Sequence, residues 1–338
     1  MSESTFHHIT RSGKLIQTST WAAARAAAKK SGGYFWLDFL EPTKEELSAL
    51  IEPLGLHPLA IEDCLDASQM PKIDDYRGHA FMLFNAFVYT DHSLSVHELD
   101  VFIGKNFLIT VQQRDAHGRP LLVGAEHQAE LHRLNVRQGP AFLFHILLDM
   151  VVDRKFVEIE ALEEEIIGAE EAILGNLRQF RPEELLHLRR DLLAMRKSLF
   201  YERENLVKIS RKDVPYIGEN ALYLYRDVYD HLSQLYELTE SSRDVVTSLM
   251  EMYLSMLNNQ MAKASNEMNS TVRRLTFITT IFMPLTLLAG IFGMSEWTMM
   301  TGAANWRMAY PLFLAGMIVI GVLNYYLLKY LERRGGWK

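Results

Sequence analysis

The residues with the clearest chemical pattern lie on one helical stripe near the C-terminus. Asn269, Val272, Thr276, Thr279, Met283, Thr286, Gly290 and Gly293 follow an alternating three-and-four spacing that keeps them on one helix face. That face is small and hydroxyl-bearing, while Phe277, Ile281, Leu285, Leu288 and Phe292 make the others apolar. Two readings fit. Small residues and threonines let helices pack closely in lipid. Alternatively, several copies around an axis would stack rings of hydroxyls and backbone, with one narrow methionine ring, as the wall of a pore. Two spans per chain cannot enclose a path alone, so a pore requires a homo-oligomer with this helix innermost.

Other candidates are weaker. Asp149, Asp153, Glu158, Glu160, Glu163, Glu164, Glu165, Glu170 and Glu171 crowd one helical stretch. This is a solvated face, or a surface that concentrates cations near a pore mouth. His117, His127 and His132 read as surface histidines, and His57 and Asp63 share a short helix with no third partner in sequence. No phosphate-binding glycine loop, dinucleotide fingerprint or His-Glu-x-x-His run occurs, so no catalytic constellation and no cofactor are expected. Cys64 is the sole cysteine, which excludes an intrachain disulfide and a thiolate metal cluster.

The elements that must position the stripe follow from charge and periodicity. No charge occurs between Arg274 and Glu296, or between Arg307 and Lys329. Each gap holds 21 residues, which at about 1.5 Å per residue spans roughly 30 Å, a bilayer core. Arg273 and Arg274 before the first span, and Lys329, Arg333 and Arg334 after the second, place both ends on the cytoplasmic side. Trp297 and Trp306 fall at the outer interface, and Tyr325, Tyr326, Tyr330 and Trp337 near the inner one. Residues 275–338 carry five of the 35 basic and two of the 42 acidic side chains, so the body ahead of them is strongly acidic. Nucleic-acid binding, which needs a basic footprint, is not expected. The first thirty residues lack an apolar core of the signal-peptide kind.

Upstream, apolar residues recur at helical spacing from Glu219 with no proline until Pro284, predicting one helix to Met294 of about 75 residues. Two long helices precede it, over 140–175 and 182–212, the second opened by Pro182. Residues 1–135 read as an α/β body. Strands are predicted at Tyr34–Phe39, Ala80–Thr90, Val96–Ile103 and Asn106–Gln112, the last three as an antiparallel meander, and helices over 43–54, 57–67 and 119–135. The expected organisation is a cytoplasmic α/β domain over 1–135, a helical hairpin over 136–218 and a stalk helix over 219–274. Spans over 275–295 and 308–328 follow, joined by an external loop over 296–307, with a basic tail over 329–338.

The segment IFMPLTLLAGIFGMS (Ile281–Ser295) resembles the first membrane helix and signature of the CorA-type divalent-cation transporter family. HPLAIEDCLDASQMPKIDDY (His57–Tyr76), FIGKNFLITVQ (Phe102–Gln112) and RDVYDH (Arg226–His231) resemble that family's cytoplasmic domain. The resemblance covers nearly the whole chain. It implies a homopentameric funnel in a bilayer, with divalent ions as cargo and regulators and a central pore lined by the long helix. On it, Asn269, Val272, Met283, Thr286 and Gly290 would line the path. Asp227 matches an aspartate that helps hold a regulatory metal between subunits.

One departure stands out. The family's Gly-Met-Asn is here Gly293-Met294-Ser295. Selecting Mg²⁺ means recognising a water shell that it gives up reluctantly. A serine ring is shorter than an asparagine ring and lacks the amide's second group. Glu296 would offset this by adding negative charge at the mouth. The expected function is a passive channel moving Mg²⁺, with Co²⁺ or Ni²⁺, into the cytoplasm across the cytoplasmic (inner) membrane. Gating would come from cytoplasmic metal held by Asp227 and a second acidic side chain. The alternatives are a Zn²⁺ or other transition-metal transporter, and a membrane-tethered metal sensor or scaffold that does not conduct.

Overall fold

The computed structural model describes residues 4–66, 69–293, 302 and 305–333. The chain divides into two units, Met1–Tyr253 and Leu254–Lys338.

The first unit is built on strands β1 (Thr5–Ile9), β2 (Leu15–Thr18), β3 (Tyr34–Leu40), β4 (Ile73–Tyr76), β5 (His79–Thr90), β6 (Ser93–Gly104) and β7 (Phe107–Gln112). They form a seven-stranded sheet in the order β2-β1-β3-β7-β6-β5-β4. The β5-β6-β7 meander is antiparallel, as its alternation predicts, and β5 and β6 pair over their full length from His79↔Gly104 to Thr90↔Ser93. Asp91 and His92 both take positive φ (51° and 60°), which gives this two-residue hairpin a turn matching the strand twist. The join between β3 and β7 is parallel. It pairs strands nearly seventy residues apart, so no local pattern announces it.

Helices cover both faces. On one lie α1 (Trp21–Ser31), α2 (Lys44–Ser48), α3 (Ile51–Leu54) and α4 (Pro58–Leu65). Ala24, Ala28, Leu47, Leu50, Ala60, Ile61 and Cys64 pack there against Phe35, Leu37, Phe81, Phe102 and Ile109 of the sheet. The short α5 (Ala125–Leu131) and α6 (Arg133–Val136) lead into α7 (Pro140–Gly175). This helix crosses the opposite face, with Phe144 packed 5.8 Å from Phe84. Coverage on both sides explains why β5 is buried almost continuously rather than at alternate residues. Helix α8 (Pro182–Ser210) returns beside α7, and a single 3-10 turn (Glu219–Ala221) opens α9 (Leu222–Phe292). The last described helix is α10 (Trp306–Arg333).

Several expectations are corrected. Residues 43–54 form two short helices rather than one, because Pro53 has no N–H to bond the Ala49 carbonyl. The helix expected over 119–135 begins only at Ala125. Before it, Arg114 bridges Pro120, Asp115 accepts from the His117 and Arg119 N–H groups, and Gly124 takes φ 85°. Helix α9 ends at Phe292, and Gly293 caps it through a hydrogen bond from its N–H to the Ala289 carbonyl (2.9 Å). Strands β1, β2 and β4 and helix α1 had no counterpart in the sequence reading. The strands are four or five residues long and lack the apolar–polar alternation that marks a strand (TFHHI, LIQT and IDDY), so only pairing with their neighbours makes them strands.

Candidate functional site

Two helices bring acidic and imidazole side chains together. Asp149 and Asp153 are four residues apart on α7, and Asp227 and His231 are four apart on α9, so each pair occupies successive turns of one face. Ligand atoms of Asp149, Asp153 and His231 all lie within 4.8 Å of one another. Asp227 is close enough to act electrostatically on Asp149 and on His145, one turn earlier on α7. Tyr225 fixes this junction by donating its hydroxyl to the Ala141 carbonyl (2.6 Å).

Burial sets the electrostatics. It raises the affinity of Asp149 for its proton, which His231 opposes and Asp227 reinforces. Asp153 is raised by burial and then by Asp149. His145 is held below its usual range by burial, against the pull of Asp227. His145 Nε2 and His231 Nδ1 are buried and make no hydrogen bond to protein. Two carboxylates and an open imidazole nitrogen form a donor set for a divalent cation, with imidazole extending the range toward Co²⁺ or Zn²⁺.

The family resemblance gave Asp227 as a ligand between subunits; the structure puts it near, but not in, the Asp149–Asp153–His231 cluster, which the sequence did not single out. Asp149 and Asp153 were submerged in an acidic run, and His231 was not singled out. The available signal was the pair of four-residue spacings, Asp-x₃-Asp and Asp-x₃-His. The other candidates have structural roles or lie at the surface. His57 caps α4 by accepting from the Leu59 N–H (3.2 Å), and Asp63 pairs with Lys72 (2.7 Å). His117, His127 and His132 are exposed.

The stripe lies in the second unit. Asn269, Val272, Thr276, Thr279, Met283, Thr286 and Gly290 are all on α9 and exposed in the single chain, as is Gly293 just beyond it. Thr276 donates its hydroxyl to the Val272 carbonyl (2.9 Å), Thr279 to Leu275 (3.1 Å) and Thr286 to Phe282 (2.9 Å). With the hydrogens spent inside the helix, the oxygens present lone pairs, the polarity that suits hydrated cations. Met294, Ser295 and Glu296 lie outside the described residues.

Apolar windows in α9 and α10 have mean hydropathies of 2.0 and 1.9, and none of either window is buried within the chain. Within this unit the two helices touch, with the Phe292 and Phe313 rings 5.0 Å apart and Leu285 3.6 Å from the Cβ position of Gly321. Long, charge-free and uncovered stretches of helix such as these windows belong in lipid.

The family described as CorA-like Mg²⁺ transporter protein matches residues 31–330. This chain belongs to that family. It is a family of membrane transporters, not of enzymes. The cobalt/magnesium transport protein CorA of Thermotoga maritima is 32% identical over 275 residues, covering 80% of this chain and 75% of that protein. The one from Methanocaldococcus jannaschii is 26% identical over 305 residues, covering 89% and 90%. The fold agrees: the complete structure of the CorA magnesium transporter from M. jannaschii superposes with a TM-score of 0.68 at 23% identity, covering 96% of this chain and 97% of that one. Family membership thus supports the mixed α/β sheet domain, the long helices and the membrane hairpin as one architecture.

Proposed function

We propose that this chain assembles as a homopentamer in the cytoplasmic membrane and conducts Mg²⁺, with Co²⁺ or Ni²⁺, into the cytoplasm. The observation that carries this reading is that α9 holds both Asp227 and His231 near its start and the threonine stripe near its end. Five copies of α9 would form the path, with Asn269, Thr276, Thr279, Thr286 and Gly290 offering oxygen to a hydrated ion. Met283 and Val272 would make the two apolar constrictions, closed by dewetting. Gly293, Met294, Ser295 and Glu296 would form the outer filter. A divalent ion crossing about 100 mV inward gains ~4.6 kcal/mol, enough to drive uptake without a nucleotide site.

Cytoplasmic cation at Asp227, His231, Asp149 and Asp153 would hold the closed state, because binding favours whichever arrangement gathers these ligands. Depletion of the cation would release it. The N- and C-termini then both face the cytoplasm, where Arg273, Arg274 and Lys329 would meet the anionic leaflet.

A second reading is supported by the imidazole in that cluster and by serine in place of the signature asparagine: the same fold carrying Zn²⁺ or another transition metal. Metal uptake into liposomes containing the purified chain separates the two, with Mg²⁺, Co²⁺, Ni²⁺ and Zn²⁺ offered singly. Mg²⁺ uptake blocked by hexaamminecobalt(III), a mimic of the hydrated ion, supports the first. Zn²⁺ uptake without Mg²⁺ supports the second. No flux of any ion defeats both and leaves a non-conducting sensor.

A further inference from the structure

A cavity of about 270 Å³ opens beside the sheet face that α4 covers, far in sequence from the α7–α9 cluster. Glu98 and Asp100, two residues apart on β6, share the face toward α4, where Cys64 and Leu65 form the opposite wall. Val111 and Gln112 of β7 close the cavity, and Glu41 stands at its edge.

The carboxyl of Asp100 is the unusual member. The side chain is only 3% exposed, yet its Oδ1 accepts no hydrogen bond. A buried acceptor without a donor is costly, so its environment is incomplete unless a ligand supplies one. The Cys64 thiol lies close enough to this carboxyl to act on it, and burial raises the carboxyl's affinity for its proton well above the usual range, a proton that a bound cation would displace. Glu98 is 9% exposed and accepts from the Gln69 N–H at 3.1 Å. Lys72, which acts electrostatically on Asp100, is committed to Asp63 (2.7 Å) and Asp74 (3.5 Å). Arg114 pairs with Glu41 at the cavity edge (3.7 Å), while among the described residues Glu98 and Asp100 form no ion pair.

What would fill it follows from chemistry and spacing. Burial, then the Asp100 carboxylate, push the Cys64 thiol well up, so it stays protonated and offers no thiolate to a soft metal. The oxygens are also spread out. Among the described residues, the ligand atoms gathered within 4.8 Å are those of Asp149, Asp153 and His231, not these. Spread carboxylates suit a cation that keeps its waters, since those waters donate to acceptors a bare ion could not reach. Six waters at about 30 Å³ each need roughly 180 Å³, within the volume present.

We propose that this cavity is a second cation site, taking a hard divalent cation with its water shell, the waters donating to Asp100, Glu98 and Glu41. The site is independent of the conduction path and of Asp227, and goes beyond the function proposed above. A bound cation would tie the C-terminal end of α4 to β6.

Cys64, the sole thiol of the chain, reports on it directly. The full-length protein in detergent is treated with a thiol reagent with and without Mg²⁺, on an Asp227→Ala background so that loss of the other site cannot mimic the result. Cys64 should react roughly tenfold more slowly at a Mg²⁺ concentration about ten times the dissociation constant. Hexaamminecobalt(III), which cannot exchange its ligands, should protect as well. Adding Asp100→Asn should abolish the protection, and Glu98→Gln should do the same if the first variant does not fold by circular dichroism. Equal protection in these variants, or none at saturating Mg²⁺, overturns the proposal. So does a sulfur-to-metal charge-transfer band with Co²⁺, which would place a soft metal on the thiol. Because the readout is labelling and not flux, its failure leaves the transport reading untouched.

Discussion

Lys155 of α7 and Glu202 of α8 form an ion pair from which solvent is wholly excluded. Ser198 donates to Glu202 Oε1 (2.9 Å), the Asn85 N–H of β5 donates to the same oxygen (3.1 Å), and the ammonium lies 5.0 Å from the centre of the Phe87 ring. Two helices and a strand thereby share one satisfied charge. Sliding α7 by a turn would strand both ions without partners. The pair therefore fixes the register of the helix that presents Asp149 and Asp153.

Replacing Lys155 alone should be severe. Lys155→Met leaves Glu202 charged and buried, at an expected cost of about 3–5 kcal/mol. The double change Lys155→Met with Glu202→Leu should restore much of that loss. Thermal unfolding followed by circular dichroism checks this, and a double variant no more stable than the single one contradicts it.

The regulatory assignment predicts a different phenotype. Asp227→Ala and His231→Ala should each raise the internal Mg²⁺ needed to inhibit uptake by about tenfold, or ~1.4 kcal/mol of binding. Flux at low internal Mg²⁺ should be little changed. Inhibition curves measured on proteoliposomes test this, and unshifted curves would remove these residues from the regulatory site.

The proposed gate would rest on size and dryness at Met283. Met283→Ala should widen the apolar ring and increase flux under inhibiting internal Mg²⁺, whereas Met283→Leu should stay close to wild type. Reduced flux in the alanine variant would argue that the side chain packs against lipid or a helix neighbour instead.

The sheet domain carries a pH signature. Asp38 is pushed up to about 6 by burial, although Thr110 (2.6 Å) and Gln112 (2.7 Å) donate to it, and Glu98 is pushed up to about 7 by burial. Their ordinary values are 3.8 and 4.5. Between those values and the raised ones the folded chain keeps protons that the unfolded chain has lost. Their stabilising contribution is therefore complete below about pH 4 and is lost as pH rises through 6 and 7. Unfolding midpoints of the full chain, recorded across that range without divalent cations, should fall with pH. Glu98→Gln should flatten the upper part of the slope. An unchanged slope would deny Glu98 its raised affinity.

The sequence alone determined the two spans, the stripe and the long helices. Those features are local: a charge-free run of 21 residues and a repeat near 3.6 are visible without knowing what lies opposite. The same held for the β5–β6–β7 meander, whose strands are consecutive. It could not supply the β3–β7 parallel pairing, or strands β1, β2 and β4, whose identity comes from their neighbours. Tertiary structure also decided the two candidate sites. Asp149 and Asp153 meet His231 only because α7 and α9 pack together, nearly eighty residues apart. Asp100 faces Cys64 only because α4 lies across β6. In each case the chemistry belongs to side chains that are ordinary in isolation. Packing gathers them, and at His231 and Asp100 it leaves a buried nitrogen or oxygen without a hydrogen-bond partner, where a cation would be bound.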